Sequence, residues 1–392
     1  MEQSRLHLVP KAPRLVALDL LRGLTIGFMI LVNDNGDGNG AYWALKHAAW
    51  NGFTPTDLVF PTFLFLVGIS TVLSTAKRLA RGESKLTLFT HTLRRAVVLY
   101  LLGLLVNSFP HFALSTMRFY GVLPRIALCY LVIASLYLVS RGWRDKLVLA
   151  LAALLGYWML MRLVPVPGYG VPTHQIPLLD RDANLAAWLD RAIFAAPHLY
   201  ERTRDPEGLL STLPAVATAL FGMLTGQWLQ SARSAAQKLK GIALAGLLSL
   251  ALGAAWNPWF PINKKLWTSS YVFFAAGWSL LLLALWMWVE QRYEQHQEQA
   301  SERRVSPPWW HTVLLVFGTN AIAAYVLSEL LASAIGSIHL ASGHNVQQAA
   351  YLAIHAVIGN VPLASLVYSL LYVAVCWVPV WMLYRSRIFL KI

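Results

Sequence analysis

The chain is predicted to be an all-α, polytopic membrane bundle, and three observations predict it. Hydrophobic residues make up 57% of the 392-residue sequence and charged residues only 13%, with a mean hydropathy of +0.52. A soluble domain of this length does not carry so little charge. The apolar runs are about 20 residues long, as a bilayer-crossing helix requires, and not the ~10-residue alternating segments of an outer-membrane barrel. A backbone inside a bilayer must satisfy its own hydrogen bonds, which forces helices.

Ten transmembrane helices are expected, at about 16–33, 56–76, 89–108, 121–140, 146–165, 210–229, 240–257, 269–289, 311–333 and 362–384. The first contains Asp19 and Arg22, and no small-residue cleavage site follows it, so it reads as a span and not as a cleaved signal. Together the spans make a single domain over residues 1–392.

Lysine and arginine set the orientation. One set of connections holds Arg5, Lys11, Arg14, Lys77, Arg78, Arg81, Lys85, Arg94, Arg95, Arg141, Arg144, Lys146, Arg233, Lys238, Lys240, Arg292, Arg303, Arg304, Arg385, Arg387 and Lys391. These are 21 of the 32 basic residues, set against seven acidic ones, so this side carries the whole formal charge of +14. The opposite side holds nine of each sign, and Arg22, Arg125, Asp19 and Glu329 lie within spans. The basic side is read as cytoplasmic, with both termini on it. Such a face suits membrane lipid headgroups or an anionic cytosolic ligand such as coenzyme A. The same bias is also ordinary for a membrane protein with no ligand. Nothing points to nucleic acid. Cys129 and Cys376 both fall inside spans and form no CxxC, so they define no disulfide framework.

The long connections, 34–55, 166–209, 258–268 and 334–361, all fall on the outer side, whereas 290–308 is a charged linker on the inner side. Long loops on a rigid scaffold are where function concentrates. Thr54-Pro55-Thr56-Asp57 reads as a capping box with proline at the first helical position, and Asp205-Pro206-Glu207-Gly208 as a second helix start with Asp205 as its cap. Asp57, Asp205 and Glu207 therefore have an ordinary explanation as caps and helix-dipole partners. Pro61 and Pro214 are expected to kink the spans that follow.

Soluble-enzyme motifs are missing. Gly36-Asp37-Gly38-Asn39-Gly40 follows a membrane helix and not a strand, and there is no GxSxG, HExxH or P-loop. The eleven histidines show no helical ligand spacing, so no metal is expected. Inside the spans, Asp19 and Arg22 are three apart and can pair, either for packing or for function. Arg125 can clamp an anionic group or pair with Glu329. The outer loops offer His47 as a base, Asn33, Asn51 and Asn263 as neutral hydrogen-bonding groups, and Trp43, Trp50, Trp188, Trp256, Trp259 and Trp267 as flat faces. Such tryptophans stack on sugar rings, but at a membrane interface they also form an aromatic belt.

Several blocks together resemble the heparan-α-glucosaminide N-acetyltransferase family and its bacterial homologues, in the transmembrane acyltransferase superfamily. They are Leu18-Asp19-Leu20-Leu21-Arg22-Gly23, Met29-Ile30-Leu31-Val32-Asn33, Lys46-His47-Ala48-Ala49-Trp50-Asn51-Gly52, and Asp57 through Phe65. The likeness continues through Val122 to Ala127, Asp205 to Thr212 and Pro261 to Ser270. The His-Ala-x-Trp-Asn-Gly block with Asp-Leu-x-Phe-Pro downstream is its most specific part.

The resemblance implies an acyltransferase that takes an acetyl group from cytosolic acetyl-CoA, a co-substrate, to an amino sugar or glycan on the other side, at a bacterial inner membrane. It implies His47 and Asn33 as catalytic residues, with a few extra residues between them at Asp34 to Asn39. Trp50, Asn51, Asp57, Asp205, Glu207, Asn263, Lys264 and Trp267 become acceptor-binding candidates. Arg22, Asp19, Arg125, Arg94 and Arg95 are cofactor-binding candidates by charge and depth. His47 would act as general base or carry the acetyl group itself, and needs a neutral imidazole in either case. Asn33 or Asn51 could donate to the thioester oxyanion. On this reading the large extra-membrane N-terminal segment of the animal enzymes is expected to have no counterpart, which would weaken the case for heparan sulfate as acceptor. A homodimer stays open, and a transporter of sugars or glycan fragments on the same fold is the competing reading.

Overall fold

The computed structural model describes residues 15–299 and 307–390. Arg5, Lys11, Arg14, Arg303, Arg304 and Lys391 of the inner-face count, with Glu2 and Glu302, lie outside the described residues. The described residues form α-helices, short 3-10 turns and no named strand. The helices are α1 (Val16–Asn33), α2 (Val59–Ala80), α3 (Lys85–Ser108), α4 (Val122–Val139), α5 (Trp143–Leu163), α6 (Leu185–Phe194) and α7 (Thr212–Gln230). They continue as α8 (Ala235–Trp256), α9 (Ser269–Gln299), α10 (Trp309–Thr319), α11 (Ala321–Ser337), α12 (Val346–Ile358) and α13 (Val361–Arg385). Starts are set by side-chain caps: Ser84, Asn184, Ser234, Asn345 and Asn360 each accept an N–H from the first turn of α3, α6, α8, α12 and α13.

Eight helices are long and apolar enough to cross a membrane, and α10 with α11 makes a ninth if the pair is one span. The expected 210–229 span is α7, which is absent from that set because its threonines, glycines and glutamines dilute its hydropathy. It packs against α2, α4 and α5, so its surroundings are protein. The expected 311–333 span is not continuous. It bends by 82° at Asn320, which is 1% exposed. Its side chain donates to Ile388 O at 3.1 Å and accepts from Leu390 N at 2.9 Å, holding the last described residues against the break. Broken helices at membrane depth survive where protein satisfies the freed groups. Pro61 and Pro214 are not kinks. Each is the third residue of its helix, where no backbone N–H is required. Two of the long connections also carry short helices, α6 and α12.

Burial separates an inner from an outer ring. The apolar windows of α1, the α2 segment and α4 are 61% buried, against 28% for α3 and α5 and 17% for α8. The outer helices turn Leu86, Val97, Leu101, Leu244, Leu247 and Leu248 outwards, which suits lipid. In a bilayer, helices associate through close packing of small residues and not by expelling water. At the α2–α7 crossing, a Cβ added to Gly68 would collide with Ala219 O, and one added to Gly222 with Phe65 O. Gly222→Leu is expected to cost at least about 2 kcal/mol by overpacking. Gly156→Leu, where a Cβ meets nothing within 4 Å, should be neutral; thermal unfolding in detergent compares them.

Candidate active site

The capping box at Thr54-Pro55-Thr56-Asp57 forms as the sequence requires, opening a 3-10 turn that runs into α2. Its carboxylate does more than cap. Asp57 is 1% exposed, and its Oδ2 accepts the backbone N–H groups of Thr54 and Ala48 at 3.0 and 3.1 Å. Its Oδ1 lies 2.7 Å from His47 Nδ1. An ionised carboxylate only accepts, so Nδ1 carries the hydrogen and Nε2 keeps its lone pair. The His47 side chain is 43% exposed. Burial first, and then the charge of Lys264, lower its pKa below the usual 6.5, although Asp57 and Glu207 pull the other way. The imidazole is thus kept neutral near pH 7.

A second segment, Pro261 to Ser270, braces this loop. Gly52 N donates to Ile262 O at 2.8 Å, at a φ of +118° that favours glycine. Asn263, fully buried, donates from Nδ2 to Asn51 Oδ1 at 3.1 Å. That bond turns the Asn51 amide so that its own Nδ2 has no partner among the described residues. Tyr271 donates to Asp57 O at 2.7 Å. Trp267 is fully buried at φ +53°; its Nε1 donates to Thr218 at 3.1 Å, and Arg125 lies over its ring at 5.2 Å. Arg125 is 1% exposed and donates to Gly208 O at 2.9 Å. It does not pair with Glu329, which instead accepts from Asn33 Nδ2 at 3.2 Å. No hydrogen bond joins Asn33 to His47 among the described residues.

Asp205 does not cap a helix, because α7 starts at Thr212. It pairs with Arg118, whose Nε is 2.7 Å from Oδ2, and Glu207 Oε2 lies 2.5 Å from Arg118 Nη2. Burial opposes these charges, but Arg118, Lys264 and Arg125 bring the Glu207 pKa down to about 2. The two carboxylates likewise outweigh burial and push Arg118 up. Arg118 escaped the sequence reading because it sits in a connection with no motif around it. Trp50 is occupied too: its Nε1 donates to Leu179 O at 2.8 Å, with Arg181 and Arg204 over its ring at 5.5 and 5.2 Å. The structure therefore gathers His47, Asn51, Asp57, Asn263 and Lys264 at one place and puts Trp267 and Arg125 beneath it.

Toward the basic end of the bundle lies a cavity of about 1090 Å³, as large as sites for sizeable ligands. Asp19, Arg22, Ser70, Lys77, His91 and Arg95 line it. Arg22 bonds Asp19 at 2.8 Å and Ser70 at 2.9 Å. Arg95 lies 5.0 Å over the Tyr130 ring, its buried Nε unpartnered. Arg94 is exposed and not part of the lining. Phe63, Leu123, Ile126 and Ile322 continue from this cavity into a narrow apolar throat of about 20 Å³. Met29, Phe60 and Tyr325 line the throat as well. Phe60 is one helical turn from Asp57 and packs edge-on against Trp267 at 5.0 Å. The throat therefore reaches the helical turn that follows Asp57. No group of three or more metal-ligating side chains occurs among the described residues.

The family described as "Heparan-alpha-glucosaminide N-acetyltransferase, catalytic" matches residues 14–255, which include the His47 loop, the capping box and Arg118. The chain belongs to this family. Heparan-alpha-glucosaminide N-acetyltransferase of Homo sapiens is 30% identical over 381 residues, covering 83% of this chain and 54% of the relative. The Mus musculus enzyme of the same name is 29% identical, covering 82% and 54%. The chain thus spans about half the length of the curated relatives it matches.

The Arg118 cluster gives a stability test. Arg118→Met leaves two buried carboxylates without their cation and should cost roughly 3–5 kcal/mol. The triple variant Arg118→Met, Asp205→Asn, Glu207→Gln should recover part of that loss in detergent unfolding.

Proposed function

We propose that the protein transfers the acetyl group of acetyl-CoA to an amine on an amino sugar or glycan, with His47 as general base. The observation that carries this is a carboxylate-oriented, neutral histidine one helical turn of chain away from an apolar throat that adjoins a cavity with basic groups. Arg22, Arg95, Lys77 and His91 would hold the anionic end of the cofactor, which supplies the activated thioester. The throat would have to widen less for a thin pantetheine arm than for a sugar ring, and this favours acetyl transfer over transport of glycan fragments. With the basic end cytoplasmic, donor and acceptor approach from opposite sides.

The amine attacks the thioester carbonyl, and His47 Nε2 takes its proton as the N–C bond forms. The C–S bond breaks, and the imidazolium returns the proton to the leaving thiolate. Asp57 fixes the tautomer through Nδ1–H and stabilises the transient imidazolium. Asn51 Nδ2, left unpartnered by the Asn263 bond, is placed to donate to the oxyanion. Asn33, held by Glu329, belongs to the acceptor side of the site.

His47→Ala should lower kcat roughly 10²- to 10⁴-fold in purified protein given labelled acetyl-CoA and glucosamine; unchanged turnover sinks the assignment. Because the neutral form is the active one and its pKa is lowered, kcat at saturating acceptor should hold down to pH 6.5 and fall only below it. An acid limb above that value contradicts His47 as the base. A labelled acetyl group retained on His47 would replace direct attack by a two-step route.

A further inference from the structure

Next to Asn33, Asp34 is 8% exposed, and its Oδ2 has no hydrogen-bond partner. No basic side chain pairs with it among the described residues. The nearest charge is a second carboxylate, Glu329 on α11. The other titratable groups facing Asp34 are Tyr325 on α11 and Tyr368, Tyr372 and Cys376 on α13, none of them cationic. Two carboxyl groups set together in low dielectric, with one acceptor unfilled, are costly unless a cation or a proton occupies the space.

The position also matters. Tyr325 borders the throat and stands within the fields of Asp34, Glu329, Glu207 and Arg118, so the pair is close to one residue of the throat wall. Asn33 is exposed and bonded to Glu329, so an exposed residue sits against the pair, although the Asp34 Oδ2 is itself buried. Loop residue Asn35 connects the two sides by donating to Val32 O and Leu45 O at 2.9 and 3.4 Å.

We propose that Asp34 and Glu329 form the subsite that receives the acceptor's amino group as an ammonium ion, and that Asp34 takes its first proton. The inference rests on the acetyl-transfer reading and deepens it by assigning the residues that select a primary amine over a hydroxyl. An ammonium has donors only, and a carboxylate has acceptors only. One N–H proton passes to the Asp34 carboxylate, leaving Asp34 neutral and a lone pair on nitrogen. The amine then attacks the thioester, His47 takes the second proton, the C–S bond breaks, and Asp34 later returns its proton to solvent. Burial, then Glu329, push the Asp34 pKa up to about 8, a proton affinity suited to exchange with an amine. Without ligand Asp34 is therefore mostly protonated at pH 7, so arrival of an ammonium displaces a proton.

Calorimetry on the full chain in detergent, in two buffers of different ionisation enthalpy, reads this directly with glucosamine and glucose as probes. The expected result is roughly tenfold tighter binding of glucosamine, with release of about one proton at pH 7. Asp34→Asn should lose both the preference and the proton release, and Glu329→Gln should weaken the preference. Stabilisation by acetyl-CoA should persist in both variants and report a folded protein. Equal binding of the two sugars to the wild type, or a preference surviving in both variants, overturns the proposal. His47→Ala separates the two ideas: it should lose turnover and keep the glucosamine preference.

Discussion

The Asp57 carboxylate serves two structures with its two oxygens. One oxygen accepts backbone N–H groups of the His47 loop and of the turn that opens α2. The other orients the imidazole. A helix start needs such a group to satisfy its orphan donors, and a buried carboxylate needs several donors to stay ionised. Each requirement meets the other, so the loop is fixed to the end of a membrane helix. The Tyr271 and Asn263 bonds then attach that assembly to the segment leading into α9. The same bonds that open α2 thus also position the imidazole.

Under the proposed reaction, the packing around this assembly would let a buried donor meet an outer acceptor. Small residues let α2 and α7 touch at their backbones, whereas the space between α1, α2, α4 and α11 is left wider and lined by polar and basic groups at one end. The bend at Asn320 contributes to that space, since Thr319, Ala321 and Ile322 all line the cavity. A straight helix there would have no reason to leave Asn320 free to hold the chain at Ile388 and Leu390.

Much of the fold was legible in the sequence because bilayer physics leaves few choices. Apolar length located most helices, and capping chemistry at Thr54–Asp57 was visible as a pattern. Helix α7 formed where expected, although, packed against protein, it need not be uniformly apolar. The 311–333 span misled for a physical reason: the break at Asn320 depends on contacts from residues some 70 positions away. At the site, the His47 block stood out, but its partner did not. Asp57 read as a cap, and only the fold shows its second oxygen turned toward the imidazole. Asp205 gave the opposite error: its Asp-Pro-Glu-Gly signature looked like a helix start, yet its place is fixed by Arg118, 87 residues earlier. Long-range pairs of this kind leave no local trace.

The central claim is that the donor enters from the basic end and the acceptor from the His47 end. Proteoliposomes with one orientation of the protein test it most directly, with glucosamine sealed on the side of the His47 loop and labelled acetyl-CoA supplied only on the other. The account predicts acetylated glucosamine accumulating with the sealed acceptor while the labelled CoA moiety stays outside. Product appearing only when donor and acceptor share one side, or sugar crossing the membrane unmodified, would contradict it.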